Sequence, residues 1–420
     1  MKVLHINRSD ALGGAAIAAN RLHTGLLASG IESRFLVGKA ETSQERVAEI
    51  RSHRLDKKLS RFAYRAGLND LNLVNTFKLG QHPFYQAADV LNLHNLHTGY
   101  FNYLALPKLT CSKKVVLTLH DMWSFTGHCA YSFECDRWQR GCGQCPDLSI
   151  YPGVVRDSTR LVWMLKKWVY QHSHLQVVTL SRWLTDQVKQ SILSHLPIHH
   201  IPNGIDASVY QPLDAAVSRT ELGIPLHKQI LMCAAINLAE ERKGSDLLMA
   251  ALNKLPAAVR ENTALVILGS SSHQMAKLID MEVVELGFIG DDRKKATAYS
   301  AADLFVFPSR ADNLPLVLQE SMACGTPMVA FSVGGVPDLV RPGVTGYVAQ
   351  PQNVEDFCYG ILHLLENEEL RRDMAANCRN ITLKEYSIEL QVSRYAQLYQ
   401  SALSERPLVT DGHKYSVVTL

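Results

Sequence analysis

Short apolar runs bounded by polar loops recur along the whole chain. Val3–Ile6, Ile31–Val37, Val90–Leu93, Val115–Leu119 and Val177–Leu180 are such runs in the first half. Ile230–Ala235, Ala264–Gly269, Val283–Gly290, Leu304–Phe307 and Met328–Phe331 follow in the second. Their length and β-branching predict strands buried on both faces of a sheet. Helical stretches separate several of them, from about Ala15 to Ser29, Ser245 to Leu255 and Pro315 to Cys324. Strand, helix, strand in that order predicts βαβ units and parallel sheets, an α/β fold. A chain of 420 residues exceeds what one core fills, so two domains are expected.

The stretch Asp303–Ala330 concentrates the chemistry. Pro308 ends a buried strand, a polar loop runs from Ser309 to Asn313, and Pro315 opens a helix. First-turn N–H groups lack partners and the helix dipole favours negative charge, so this turn predicts an anion site around Asn313, Leu314, Leu316 and Val317. Asp312 and Glu320 bracket it. Elsewhere, Gly13 and Gly14 stand at the start of the first helix, where they allow a close backbone approach. His94, Asn95 and His97 follow one strand, and His120 and Asp121 follow the next. Carboxyl ends of parallel strands face the ligand crevice of such sheets. Asn237–Gly244 is a polar loop carrying Arg242 and Lys243.

On these residues the chain resembles the retaining GT-B glycosyltransferases of the glycogen-synthase and mannosyltransferase type, family GT4. The paired acids at 312 and 320, the HD pair His120-Asp121, the segment Pro202–Asp206 and the Lys243-Gly244 turn carry the resemblance. The DNLP variant at 312–315 resembles a subgroup that builds bacterial exopolysaccharides, colanic-acid-type transferases included. The resemblance implies GT-B architecture, two Rossmann-like domains facing across a cleft. It implies an acceptor-side domain over residues 1–200, a nucleotide-sugar domain over 201–384 and a last helix at about 385–403 returning to the first domain. It also implies transfer of a sugar from a nucleotide-diphosphate donor to a glycan or lipid-linked saccharide, with retention and with no cofactor required.

In that picture His120 and Asp312 lie at the reaction centre, and Gly13, Gly14, Arg242 and Lys243 face the diphosphate. Glu320 takes the ribose hydroxyls, and Leu286, Phe288 and Ile289 border the base. The family's usual arginine is missing near Asn237 and Leu238, so Arg242 is expected to substitute, its guanidinium gripping phosphate in a bidentate way. Asp312 is one methylene shorter than the family's glutamate. Two other classes fit the fold: another GT-B nucleotide-sugar enzyme of the epimerase kind, and a non-catalytic assembly protein.

Two further stretches stand out. Arg51, Arg54, Lys57, Lys58, Arg61 and Arg65 interleave with Leu55, Leu59, Phe62 and Tyr64, a basic amphipathic helix. It reads either as a solvated face or as a surface that rests on anionic lipid. Trp163, Lys166, Lys167 and Trp168 read as a second contact of that kind. Cys129, Cys135, Cys142 and Cys145 cluster in a Gly- and aromatic-rich loop. Such clustering in a cytosolic protein predicts a structural zinc, with reduced thiols, a disulfide or an iron–sulfur centre as the other readings.

Composition narrows the class. With 47% apolar and 20% charged residues the chain is of ordinary globular make-up, and a net charge of +3 gives no reason to expect nucleic acid. The start MKVLHINRSD enters a strand directly, and no apolar run reaches the eighteen or so residues of a membrane span. A cytoplasmic protein, peripheral at the inner membrane face, is the expectation. Residues 407–420 are expected to be loose.

Overall fold

The structure is a computed structural model that describes residues 1–51, 54–237, 239–270 and 279–404; the side chains of 54, 55 and 57, Leu238 and the tail beyond 404 lie outside the described part. Two parallel sheets organise it. The first comprises β1 (Lys2–Ser9), β2 (Glu32–Lys39), β3 (Val47–Glu49), β4 (Val90–Leu93), β5 (Lys114–Leu119), β6 (Gln176–Thr179) and β7 (Ile198–His200). Its spatial order is β3-β2-β1-β4-β5-β6-β7. The second comprises β8 (Gln229–Asn237), β9 (Thr263–Ser270), β10 (Glu282–Gly287), β11 (Leu304–Phe307), β12 (Met328–Phe331) and β13 (Gly346–Ala349), ordered β10-β9-β8-β11-β12-β13.

The ten apolar runs all become strands. Every residue of β4, β11 and β12 is buried, as two-sided coverage by helices requires. The two short strands β3 and β7 were not foreseen. Three residues each, half-buried at or near a sheet edge, they carry too little apolar periodicity to stand out from loop.

Each sheet reverses its winding once, between β1 and β4 and between β8 and β11. At such a switch point the neighbouring connections leave in opposite directions and open a crevice beyond the strand ends. The loops at these two crevices carry His120, Arg242, Lys243 and Asp312. The final helix, Ile388–Ser404, returns to the first sheet. Val392, Tyr395, Leu398 and Tyr399 pack with Leu22, Leu26, Val90 and Val116. The Tyr399 hydroxyl accepts from Asn92 Nδ2 at 2.8 Å, so the end of the chain is fastened under the first sheet.

Candidate functional site

The loop after β11 is shaped by its neighbours before any ligand is considered. Gly334 has φ of +51°, and a Cβ there would stand 1.9 Å from the Asp312 carbonyl oxygen, so only glycine fits. Gly335 N–H then donates to that carbonyl at 3.2 Å. Gly244, at φ +69°, lets the β8 loop press against Pro308 in the same way. The two loops are thereby locked side by side, which places Lys243 and Arg242 on Asp312.

The Asp312 carboxylate accepts from Lys243 Nζ at 3.0 Å and from Arg242 Nη1 at 3.1 Å. Burial would raise this carboxyl, but the two cations outweigh it and hold it below the ordinary carboxylate range. Arg242 also donates to Glu240 Oε1 and to the Ala311 carbonyl, and lies 5.0 Å over the Tyr131 ring. Tyr131 comes from the cysteine-rich loop, so that loop borders the cleft. The Arg242 guanidinium and the Lys243 ammonium thus share one carboxylate.

Asn313 joins the two halves. Its amide nitrogen donates to the His120 carbonyl at 3.1 Å, while Ser181 Oγ donates to its Oδ1 at 2.6 Å. The helix Leu316–Ala323 begins just after, with Pro315 as its N-cap rather than inside its first turn. Leu314 is buried, and Leu316 and Val317 stand half-exposed at the helix start. Gly13 caps the helix Gly14–Ala28 at the opposite crevice.

Glu320 sits differently from a free ribose ligand. It is 5% exposed, with Arg21 Nη2 donating to Oε1 at 2.6 Å and the Tyr299 hydroxyl donating to Oε2 at 3.0 Å. Arg21 belongs to the helix after Gly14, so the pair spans the two halves of the molecule. Tyr210 supports it, its ring 5.2 Å from the guanidinium. Arg21 carried no signal in the sequence, because its partner is 299 residues away.

His120 stands at the end of β5, half-exposed toward the cleft, its imidazole pushed down to about 4 chiefly by burial. Asp121 beside it accepts from His97 Nε2 at 3.1 Å and from the Trp123 N–H at 2.8 Å. Leu286 lies in the edge strand β10 one residue before its end at Gly287, and Phe288 and Ile289 follow the strand; Phe288 is exposed and Ile289 half-buried.

Two expectations need correction or qualification. Lys166 and Trp163 are not a membrane contact. Lys166 is fully buried, donates to the Trp123 and Thr126 carbonyls at 2.6 and 3.1 Å, and lies 3.5 Å over the Trp123 ring. Trp163 is buried and donates to the Trp138 carbonyl. The helical period turns both inward and leaves Met164, Lys167 and Trp168 outside.

Cys129, Cys135, Cys142 and Cys145 share one neighbourhood as free thiols, within each other's electrostatic reach. Yet among the described residues no three His, Cys, Asp or Glu side chains are grouped to hold a metal ion. The sulfurs have other contacts: Cys142 Sγ accepts from the Gly127 N–H at 3.2 Å, and Cys145 Sγ lies 3.3 Å from His128 Nε2. Burial pushes the Cys129 and Cys142 thiols up to about 12 and 11, so they are protonated as they stand. Buried Trp138 and the Thr159 and Asp157 side chains hold the loop.

Residues 12–209 match Glycosyltransferase Family 4, and residues 218–381 match Glycosyl transferases group 1. A putative colanic acid biosynthesis glycosyl transferase, WcaC of Escherichia coli K12, is 29% identical over 96% of this chain and 98% of its own length. A sucrose-phosphate synthase from Thermosynechococcus elongatus superposes with a TM-score of 0.72 at 20% identity, covering 96% of this chain and 99% of that one. Anabaena Alr3699/HepE, solved in complex with UDP-glucose, superposes at 0.69 and 17% identity, covering 96% and 100%. With two parallel-sheet domains facing across a cleft and both halves matched, the chain is a glycosyltransferase of the family 4, group 1 type on the GT-B fold.

Proposed function

We propose that the protein transfers a sugar from a nucleotide-diphosphate donor to a saccharide acceptor, with retention, in bacterial polysaccharide synthesis. One observation carries this reading: the Lys243 and Arg242 cations meet at Asp312 beside an open helix start. Departure of a nucleoside diphosphate leaves negative charge on the leaving oxygen. Two fixed cations and unpaired helix N–H groups stabilise that charge without reorganising during the reaction. Asp312 keeps the cations in place before the donor arrives and then lies beside the sugar and its phosphate. Glu320, two turns along the helix, is the carboxylate for the ribose hydroxyls, in place of or beside its present partners.

The acceptor is proposed to approach from the first domain. A cavity of about 410 Å³ there is lined by Tyr64, Asp70, Thr98, Tyr103, Trp123 and His128, within the usual range for small-ligand sites. Its walls include the loops that follow β4 and β5, the same edge that carries His120. Aromatic faces beside carboxylate, hydroxyl and imidazole groups suit a sugar ring. The buried Tyr103 hydroxyl has no partner among the described residues. The helix Arg54–Arg65 also borders the cavity and exposes Lys58, Leu59, Arg61, Phe62 and Arg65. Basic and apolar groups on one exposed face suit contact with an anionic membrane carrying a lipid-linked acceptor. No described helix is long and apolar enough to cross a membrane.

The test is turnover with UDP-, GDP- and ADP-sugars and a saccharide acceptor, read as nucleoside diphosphate released and as the anomer formed. One donor should be consumed with retention, and Lys243→Ala and Glu320→Ala should each abolish turnover while remaining folded. Near wild-type turnover of either variant at saturating donor would overturn this placement of the site.

A further inference from the structure

Behind His120 lies a row of buried imidazoles that the cleft chemistry above does not use. His120 Nε2 is 3.0 Å from His94 Nδ1, and His94 Nε2 is 3.0 Å from His5 Nδ1. The rings follow one another at centroid distances of 5.3 Å and 5.3 Å. His5 lies within β1, His94 follows β4 and His120 follows β5, so the row runs across three adjacent strands from the middle of β1 to the carboxyl ends of β4 and β5. His5 and His94 are buried, at 0% and 2% exposure. Burial, with the neighbouring rings adding to it, keeps His5 and His94 well below the ordinary histidine range, so both are neutral at pH 7.

Neutrality fixes the count of protons. Each ring carries one, and each of the two contacts needs one N–H and one bare nitrogen. Only two patterns satisfy both contacts. In one, all three rings carry the proton on Nδ1, each pointing toward the cleft. In the other, all three carry it on Nε2, each pointing away. The far end decides between them. His5 Nε2 is buried and has no partner. The second pattern would bury an unpaired N–H donor there, whereas the first leaves only a bare acceptor, the less disfavoured kind of orphan.

We infer that His94 and His5 are positioning residues that hold His120 as its Nδ1–H tautomer, so that the cleft is offered a neutral N–H donor. Among the described residues nothing accepts from His120 Nδ1, and the donor is free for a ligand oxygen. Being neutral, it adds no charge beside Asp121, and it supplies a third hydrogen-bond donor facing the negative donor substrate besides Lys243 and Arg242. The catalytic value of this tautomer rests on the reading that His120 faces the transferred sugar and its diphosphate. The tautomer itself does not.

The two parts separate experimentally. Ring ¹⁵N spectra of labelled wild-type protein should show His120 and His94 protonated on Nδ1; an Nε2–H pattern would overturn the inference. In His94→Phe the His120 ring should become a mixture of tautomers, with kcat down about ten- to hundredfold, the size seen when a partner that orients a histidine is removed. The donor KM should stay within about twofold, since no donor contact is lost. His94→Asn places an amide N–H near the Nδ1 position and should restore both the single tautomer and most of kcat. If the Asn variant is as impaired as the Phe variant while equally folded, the ring serves packing only and the inference fails. If the tautomer result holds but His120→Phe turns over normally, it is the placement of His120 at the reaction that fails.

Discussion

Substituting Arg21 tests whether the two halves of the cleft meet as described. Arg21 and Glu320 are 10% and 6% exposed at the side chain and lie 2.6 Å apart. Arg21→Met keeps most of the aliphatic bulk and removes the charge. Removing one member of a buried pair strands the other, at a cost of about 3–5 kcal/mol. Two features favour the lower end. Glu320 keeps the Tyr299 hydroxyl at 3.0 Å, and one Arg21 nitrogen, Nη1, has no partner even in the wild type. A loss of about 3 kcal/mol is expected.

With a urea dependence of about 3 kcal/mol per molar for a large domain, the midpoint should fall by about 1 M. Glu320→Gln added to Arg21→Met removes the stranded charge, and the double variant should recover more than half of that loss. The assay is urea unfolding followed by fluorescence and by circular dichroism, with coincident curves required before a free energy is assigned. If Arg21→Met shifts the midpoint by less than about 0.2 M, the pair is not closed in solution, and the two halves do not meet through Glu320.

Three other outcomes follow. His5, His23, His94 and His120 all titrate below the ordinary value of 6.5, His23 and His120 at about 4. Between these limits the unfolded chain binds more protons than the native one, so stability should fall as pH drops from about 6.5 to 4. Buried Asp70, raised to about 6, works in the opposite sense over part of that range, but it is one group against four. A flat stability profile from pH 7 to 4 would refute the neutral, buried state of these rings. On the outer surface, Lys58→Glu with Arg61→Glu should reduce sedimentation with anionic vesicles and spare transfer to a soluble acceptor; unchanged sedimentation would leave the helix face merely solvated. Lys166→Met should destabilise the cysteine-rich loop, read as faster amide exchange around Trp123–Thr126, because it removes both carbonyl contacts; unchanged exchange would show the ammonium is not what holds that loop.

What the sequence made legible was whatever is periodic or local. Leu304–Phe307 and Met328–Phe331 were read to the residue because a strand covered on both faces is apolar throughout. Lys243 and Asp312 were singled out separately, each by the turn it sits on. Their contact depends on glycines 244 and 334, whose role emerges only when two distant loops press together. Arg21 and Tyr299 were invisible, since their partners lie in distant parts of the chain. Lys166 and Trp163 were misjudged because a basic-aromatic helix face looks the same whether it meets a membrane or a carbonyl-lined interior.

The most direct measurement is calorimetric titration of the nucleoside diphosphate of the accepted donor into wild-type, Lys243→Ala and Arg242→Gln proteins. Hydrogen bonds to a charged partner contribute about 1.5–3 kcal/mol each. One site per chain is expected, with an affinity about ten- to hundredfold weaker in each variant and with each variant keeping the native circular-dichroism spectrum. Undiminished affinity in both variants would contradict this, because the diphosphate would then lie somewhere other than between Asp312 and the two cations.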